Sequence, residues 1–175
     1  MKKSTLARLL AAVAITASIC SCNKDGNTDP FDHFEITYSL ETNEDCRNCF
    51  DTKFEILCND TVLDSDYFNS ISMNGTFTDS RMVPNATITF RTVPSYDGTI
   101  PEEIDLLLKY DIVITAINKS GEVADSYSIR ETRSGTGKVS LKTADEQKAA
   151  KDEFTIDIKV KSTISGGKLS ITPAN

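Results

Sequence analysis

The strongest constraint on the fold of this 175-residue chain is an alternation of apolar and polar side chains at period two. Phe34, Ile36, Tyr38 and Leu40 alternate with Glu35, Thr37 and Ser39, and Phe54, Ile56 and Cys58 with Lys53, Glu55 and Leu57. Ile88 and Phe90 alternate with Thr87, Thr89 and Arg91. Phe154, Ile156, Ile158 and Val160 alternate with Thr155, Asp157, Lys159 and Lys161. Successive side chains of a strand point to opposite faces, so such segments bury one face and wet the other, as antiparallel sheets do. Residues 110–117 are apolar on both faces, with Ile112 and Ile114 against Val113 and Ile117, which predicts a central strand.

Turn chemistry divides these segments. Asn74-Gly75, between residues 71–73 and 76–78, predicts a type I′ hairpin, because both residues accept a positive φ. Asn118-Lys119-Ser120-Gly121 joins the central strand to the next, and Ser165-Gly166-Gly167 joins the last two strands. Two short helices are predicted. Pro101 at a first helical position, with Ile104, Leu107 and Leu108 on one side, predicts one over 101–108. Thr143-Ala144-Asp145-Glu146 is a capping box that opens an alanine-rich helix to Lys151. Eight or so short strands at this spacing indicate an all-β sandwich or barrel.

The N-terminus is of another kind. Lys2, Lys3 and Arg8 lead into an apolar run from Leu9 to Ile19 that ends at Cys20-Ser21-Cys22. A charged start, a short apolar stretch and a small-residue exit are the parts of an export signal, and the run is shorter than the roughly 20 apolar residues a bilayer span needs. Residues 1–21 are therefore predicted to be a signal peptide, and the polar, turn-prone residues 22–30 a flexible tether. The motif Ile19-Cys20-Ser21-Cys22 resembles the lipobox of bacterial lipoproteins. That resemblance implies lipidation at Cys22 and attachment to the outer membrane through a lipid anchor; Cys20 fits worse, because bulky Ile19 would precede it. Lys24-Asp25 resembles the signal that sends lipoproteins of the Bacteroidetes to the outer face of that membrane, which implies surface display ahead of the periplasmic face.

Three of the 19 basic residues and none of the 26 acids fall in the leader, which leaves 16 bases against 26 acids and a net charge of −10 in the mature chain. Such a surface repels phosphate backbones and disfavours nucleic acid as a partner.

The segment Tyr110-Asp-Ile112-Val-Ile114-Thr-Ala116-Ile-Asn118-Lys-Ser-Gly121 resembles the F strand and F–G turn of fibronectin type III domains. The resemblance implies an immunoglobulin-like β-sandwich over about residues 31–131, with Tyr110 as a tyrosine corner that bonds back to the upstream backbone. The family's buried tryptophan is missing, Phe54 being the nearest replacement, and strands continue beyond 131. We therefore expect one antiparallel, immunoglobulin-like sandwich domain over 31–175 with a C-terminal extension over 132–175; a lipocalin-like β-barrel is the alternative.

Residues that carry chemistry are few. Cys46, Cys49 and Cys58 predict one disulfide and one spare thiol in an oxidising compartment, with all three pairings open. Redox work by Cys46-Arg47-Asn48-Cys49 needs a helix N-terminus, and the motif reads as a loop between strands. His33, the sole histidine, would complete a three-Cys, one-His zinc set, but it lies far from the cysteines in sequence and beside the tether; no metal, cofactor or catalytic residue is assigned. Gly135-Thr136-Gly137-Lys138 lacks the first glycine and the Ser/Thr of a P-loop. Glu102, Glu103 and Asp105 would be a carboxylate set for glycoside hydrolysis, and Asp60, Asp64 and Asp66 part of a calcium loop without its Gly and Glu; both sets read as solvated acids. Asp60-Thr61-Val62 matches a short O-glycosylation motif of exported Bacteroidetes proteins, with Thr61 as acceptor. The function expected is non-enzymatic: a displayed module that binds a glycan or protein partner. A small-ligand β-barrel carrier and an exported Asp/Glu hydrolase are the alternatives.

Overall fold

A computed structural model of the protein describes residues 31–79 and 81–174; the predicted signal peptide 1–21, the predicted lipidation site Cys22 and the predicted tether lie outside these described residues. The elements run β1 (Phe31–Thr42), α1 (Glu44–Cys49), β2 (Phe50–Cys58), β3 (Thr61–Tyr67), β4 (Ser72–Thr78), β5 (Thr87–Tyr96), β6 (Glu103–Asn118), β7 (Val123–Ser140), α2 (Ala144–Glu153), β8 (Asp157–Ser165) and β9 (Lys168–Pro173). They form two antiparallel sheets, β4-β1-β6-β7 and β3-β2-β5-β8-β9, as the period-two alternation predicts. The architecture is an all-β sandwich with two short helices.

The alternating residues meet between the sheets. Phe34, Ile36 and Leu40 of β1 and Ile112, Ile114 and Ala116 of β6 face Phe54 and Ile56 of β2, Ile88 and Phe90 of β5, and Val160 of β8, all buried. Aromatic rings fill the middle: Tyr38 lies 5.2 Å from Phe54 and 5.5 Å from Phe90, centroid to centroid. Each buried ring of this size contributes about 1.5–3 kcal/mol of transfer free energy, so the shared interface outweighs any single surface ion pair, worth roughly 0–1 kcal/mol. The residues beyond 131 belong to this core. Phe154, Ile156 and Val160 are buried, Phe154 stacks on Phe50 at 4.9 Å, and β8 pairs with β5 from Arg91↔Asp157 to Thr87↔Lys161.

Two local expectations change. Residues 103–108 are the start of β6 and not a helix, because Ile104, Leu106 and Leu108 are the buried set, a spacing of two. Asn74 and Gly75 lie inside β4, not in a turn. Gly75 faces Tyr38 across the β1–β4 pair, and the Tyr38 ring occupies the space where a Cβ would stand. The hairpin turn in this part of the chain is Asn59-Asp60, both at positive φ (47° and 62°), between β2 and β3. The turns at 118–121 and 165–167 and the Thr143 capping box form as the sequence predicts.

A Cβ on Gly75 would stand 2.6 Å from the Tyr38 hydroxyl oxygen and 2.8 Å from Cζ, and the flanking Phe54 and Phe90 rings hold Tyr38 in place. Gly75→Ala is therefore expected to cost roughly 1–3 kcal/mol, the usual range for overpacking, read as a lower urea midpoint. The penalty should shrink in a Tyr38→Leu background; an unchanged midpoint in the single variant contradicts this packing.

Candidate functional site at the end opposite Phe31

The two ends of the sandwich differ. Near Phe31 lie the hairpin turns β2–β3, β6–β7 and β8–β9 and one crossing between the sheets, from β4 to β5, since Phe31 pairs with Asn118, Thr78 with Glu35, and Cys58 with Thr61 and Ile88. At the other end the chain crosses between the sheets four times: β1 to β2, β3 to β4, β5 to β6 and β7 to β8. Twelve residues of β1 separate the two ends, roughly 40 Å at strand rise. The crossing segments, which include both helices, make the far end irregular, and it is the candidate site.

Helix α1 builds one side of it. Asn43 caps the helix by accepting from the Cys46 amide at 2.9 Å, and Glu44 and Asp45 put acids in its first turn, where the helix dipole favours them. β1 accompanies β6 only as far as the Thr42↔Leu108 pair. Beyond it, side chains from Thr42 onward take over the missing strand's bonds. Thr42 Oγ1 donates to the Leu107 carbonyl at 2.7 Å, and Asn43 Nδ2 to the Asp105 carbonyl at 2.8 Å. Asp45 accepts from the Asp105 amide at 2.9 Å. The Cys46 thiol donates to the Asp105 carbonyl and accepts from the Leu107 amide, both at 3.4 Å. The bond from the Asp105 amide, with Lys138 3.6 Å away, holds the Asp45 carboxyl below the usual carboxylate range.

Two clefts flank the outer part of β7. One, of about 320 Å³, is walled by Asp45, Asn48, Thr99, Pro101, Glu103, Ile104 and Lys138, with buried Cys49 on its floor. The other, of about 280 Å³, is lined by Leu106, Ser134, Gly135, Val139, Ala149, Ala150 and Glu153, between β7 and α2. It exists because β7 bulges: Asp105 pairs with Lys138 but Leu107 with Ser134, so Gly135-Thr136-Gly137 oppose Leu106 alone. A Cβ on Gly135 would lie 2.8 Å from the Gly137 carbonyl oxygen, which ties the bulge to glycine. The sequence 135–138 is thus a bulge rather than a phosphate-binding loop.

A clasp locks α2 to this end. The Arg133 guanidinium donates to the Thr155 carbonyl at 2.6 Å and the Glu153 carbonyl at 3.3 Å, where a helix C-terminus favours a cation. It also binds Glu131 at 2.9 Å and the Tyr110 hydroxyl at 3.1 Å. The buried Tyr110 hydroxyl donates to Glu131, directly opposite in the β6–β7 register, and not to upstream backbone as in a tyrosine corner. Burial first, and then the bond to Glu131, push the Tyr110 phenol up to about 12.

Other sequence candidates are placed as follows. The motif Cys46–Cys49 lies on α1 and not in a loop. Cys46, Cys49 and Cys58 are buried and stand as free thiols, so the structure shows the reduced pair in place of the predicted disulfide. Cys58 ends β2 eight strand steps from Phe50, roughly 26 Å away, beyond the about 7 Å that a disulfide's Cα atoms allow. His33, bonded to Asp32 at 2.6 Å, is at the Phe31 end of β1 and cannot join Cys46 and Cys49. No group of three His, Cys, Asp or Glu among the described residues is arranged to hold a metal ion. Glu102 and Glu103 face Lys142 at 3.4 and 4.0 Å, and Asp105 lies two residues further along β6. Asp64 and Asp66 share one face of edge strand β3, where both raise the Tyr38 phenol after burial, the larger cause; Asp60 sits in the β2–β3 turn. Thr61 is exposed at the start of β3.

What the sequence reading missed is α1 and its ladder to β6. Asn43 followed by two acids and then Arg47 in the last turn is a helix signal, short enough to be hidden between two strong strands. Comparison with protein-family models, curated proteins and solved structures gives no match.

Burial pushes the Cys49 thiol up from 9.0 to about 11, and that of Cys46 in the same direction. The folded state thus keeps protons that the unfolded chain releases, and stability falls as pH rises from about 9 towards 11. Cys49→Ser, which does not titrate there, should flatten that fall in urea denaturation followed between pH 8 and 11; an unchanged slope contradicts the burial argument.

Proposed function

We propose that this protein is an exported lipoprotein, held on the outer membrane through Cys22, that presents the end carrying α1, α2 and the two clefts to a partner without catalysing a reaction. The observation that carries this reading is the polarity of the fold. The described chain begins at Phe31, on the end with the three hairpin turns, and the clefts lie about a strand's length away, beside the two helices. A tether ending at Phe31 leaves the irregular end free to face outward.

Several features support a binding role. Glu102, Glu103 and Asp45 are engaged with lysines, the reverse of two carboxylates converging on a bond to be cleaved. Large buried side chains fill the space between the sheets, which argues against a carrier with an interior cavity. Among the described residues, Tyr67 is the one aromatic in the exposed large hydrophobic set, so a flat aromatic platform for sugar rings is poorly supplied. The acidic mature chain suits a partner with a basic face. Thr61, exposed on an edge strand at the tether end, is accessible as an O-glycan acceptor that would leave the clefts open.

Expression of the full chain in a bacterium with lipoprotein processing, with radiolabelled palmitate, tests the anchor. The protein should carry label and sediment with the outer membrane, and Cys22→Ala should abolish both while Cys20→Ala leaves them. Unlabelled protein in the soluble fraction would overturn the anchored reading.

A further inference from the structure

Cys46 and Cys49 are three residues apart on α1 and both are buried. Residues at that spacing lie on one helix face with Cβ atoms about 5–6 Å apart; their Cα atoms, roughly 5 Å apart from helix geometry, are inside the window of about 4.4–6.8 Å that a disulfide spans, and closing the bridge draws the Cβ atoms together by about 1–2 Å. Cys58, at the opposite end of β2, is outside any such window. The fold therefore removes two of the three pairings that the sequence leaves open. It also tolerates the third. A disulfide consumes the Cys46 S–H that now donates to the Asp105 carbonyl, but that carbonyl also accepts from Asn43 Nδ2 at 2.8 Å. A disulfide sulfur can still accept from the Leu107 amide, so the ladder joining α1 to β6 loses the one bond from the Cys46 S–H and retains those of Thr42, Asn43 and Asp45.

We propose that Cys46 and Cys49 form one intramolecular disulfide by exchange with a disulfide oxidant, and that Cys58 stays a thiol. Cys49, on the floor of the cleft, is the sulfur an oxidant reaches first; Cys46, fully buried, resolves the adduct. The Cys49 thiolate attacks the oxidant's S–S bond, which forms a mixed disulfide and expels one thiol. Cys46 then attacks the Cys49 sulfur and expels the second thiol. Two electrons and two protons pass from the cysteine pair to the oxidant, which leaves as two thiols. Burial keeps both cysteines protonated at neutral pH, so the exchange is slow there and quickens as pH rises. The product fixes α1 across its own turn and so sets one wall of the cleft.

The folded full chain, incubated with glutathione disulfide and then alkylated under denaturing conditions, tests this by peptide mass. One bridge should appear, two hydrogens lighter than the dithiol, joining Cys46 to Cys49, with Cys58 alkylated. Cys58→Ser should oxidise as the parent does. Cys46→Ser should stop at a glutathione adduct on Cys49, provided its circular dichroism matches the parent. Alkylation of Cys46, Cys49 and Cys58 together in the parent, with Cys46 and Cys49 both alkylated in Cys58→Ser, or a bridge that includes Cys58, would overturn the assignment. Neither outcome bears on Cys22, so this inference and the lipid anchor fail separately.

Discussion

β1 and β2 are consecutive in sequence yet belong to different sheets, and the organisation of the far end depends on how the chain makes that step. Only seven residues separate Thr42 from Phe50. A six-residue helix spends them, and it has a second effect: β6 runs on past the end of β1 and its backbone needs partners. An unpaired buried amide or carbonyl costs about 1–3 kcal/mol. The side chains of Thr42, Asn43, Asp45 and Cys46 meet that need, Thr42 bonded to Leu107, Asn43 and Asp45 to Asp105, and Cys46 to both. The crossing segment thus serves as a short surrogate strand, and its helical form places Cys49 beneath a cleft.

The second crossing helix depends on the same economy. α2 is polar on most of its surface and buries only Ala150, so apolar burial alone does not hold it. It is held by its capping box, by the Tyr96 hydroxyl bonded to the Gln147 carbonyl, and by Arg133 on its last carbonyls. Tyr110 and Glu131 keep Arg133 in place, with the guanidinium 5.5 Å from the Tyr110 ring centre. Glu131 is held below the usual carboxylate range chiefly by Arg133, the sign expected for a carboxylate in this pairing. The tyrosine that suggested a fibronectin-like corner is the base of this clasp.

The sheets were legible because burial of one face leaves a period-two trace, clear in β1, β2, β5, β6 and β8. The errors fall where that trace is short or overlaid. Around residues 101–108, Pro101 and a leucine pair imitate a helix start, and the alternation of Ile104, Leu106 and Leu108 decides otherwise. Asn74-Gly75 has turn chemistry, but Gly75 is there to admit the Tyr38 ring, a contact 37 residues distant in the chain that no local reading contains. The candidate site was the least legible part. Its clefts come from a three-residue bulge and two crossing helices, and bulges leave no periodic signal.

The functional account rests on one spatial claim, that the described chain starts at the end opposite the clefts, so an anchor at Cys22 turns the clefts away from the bilayer. Energy transfer from single dyes to an acceptor in the lipid headgroups measures it directly, with the lipidated protein in vesicles and dyes on Lys142→Cys at the cleft end or Lys119→Cys in the β6–β7 turn. The account predicts weaker transfer from position 142 than from 119. Equal transfer, or stronger transfer from 142, would contradict it.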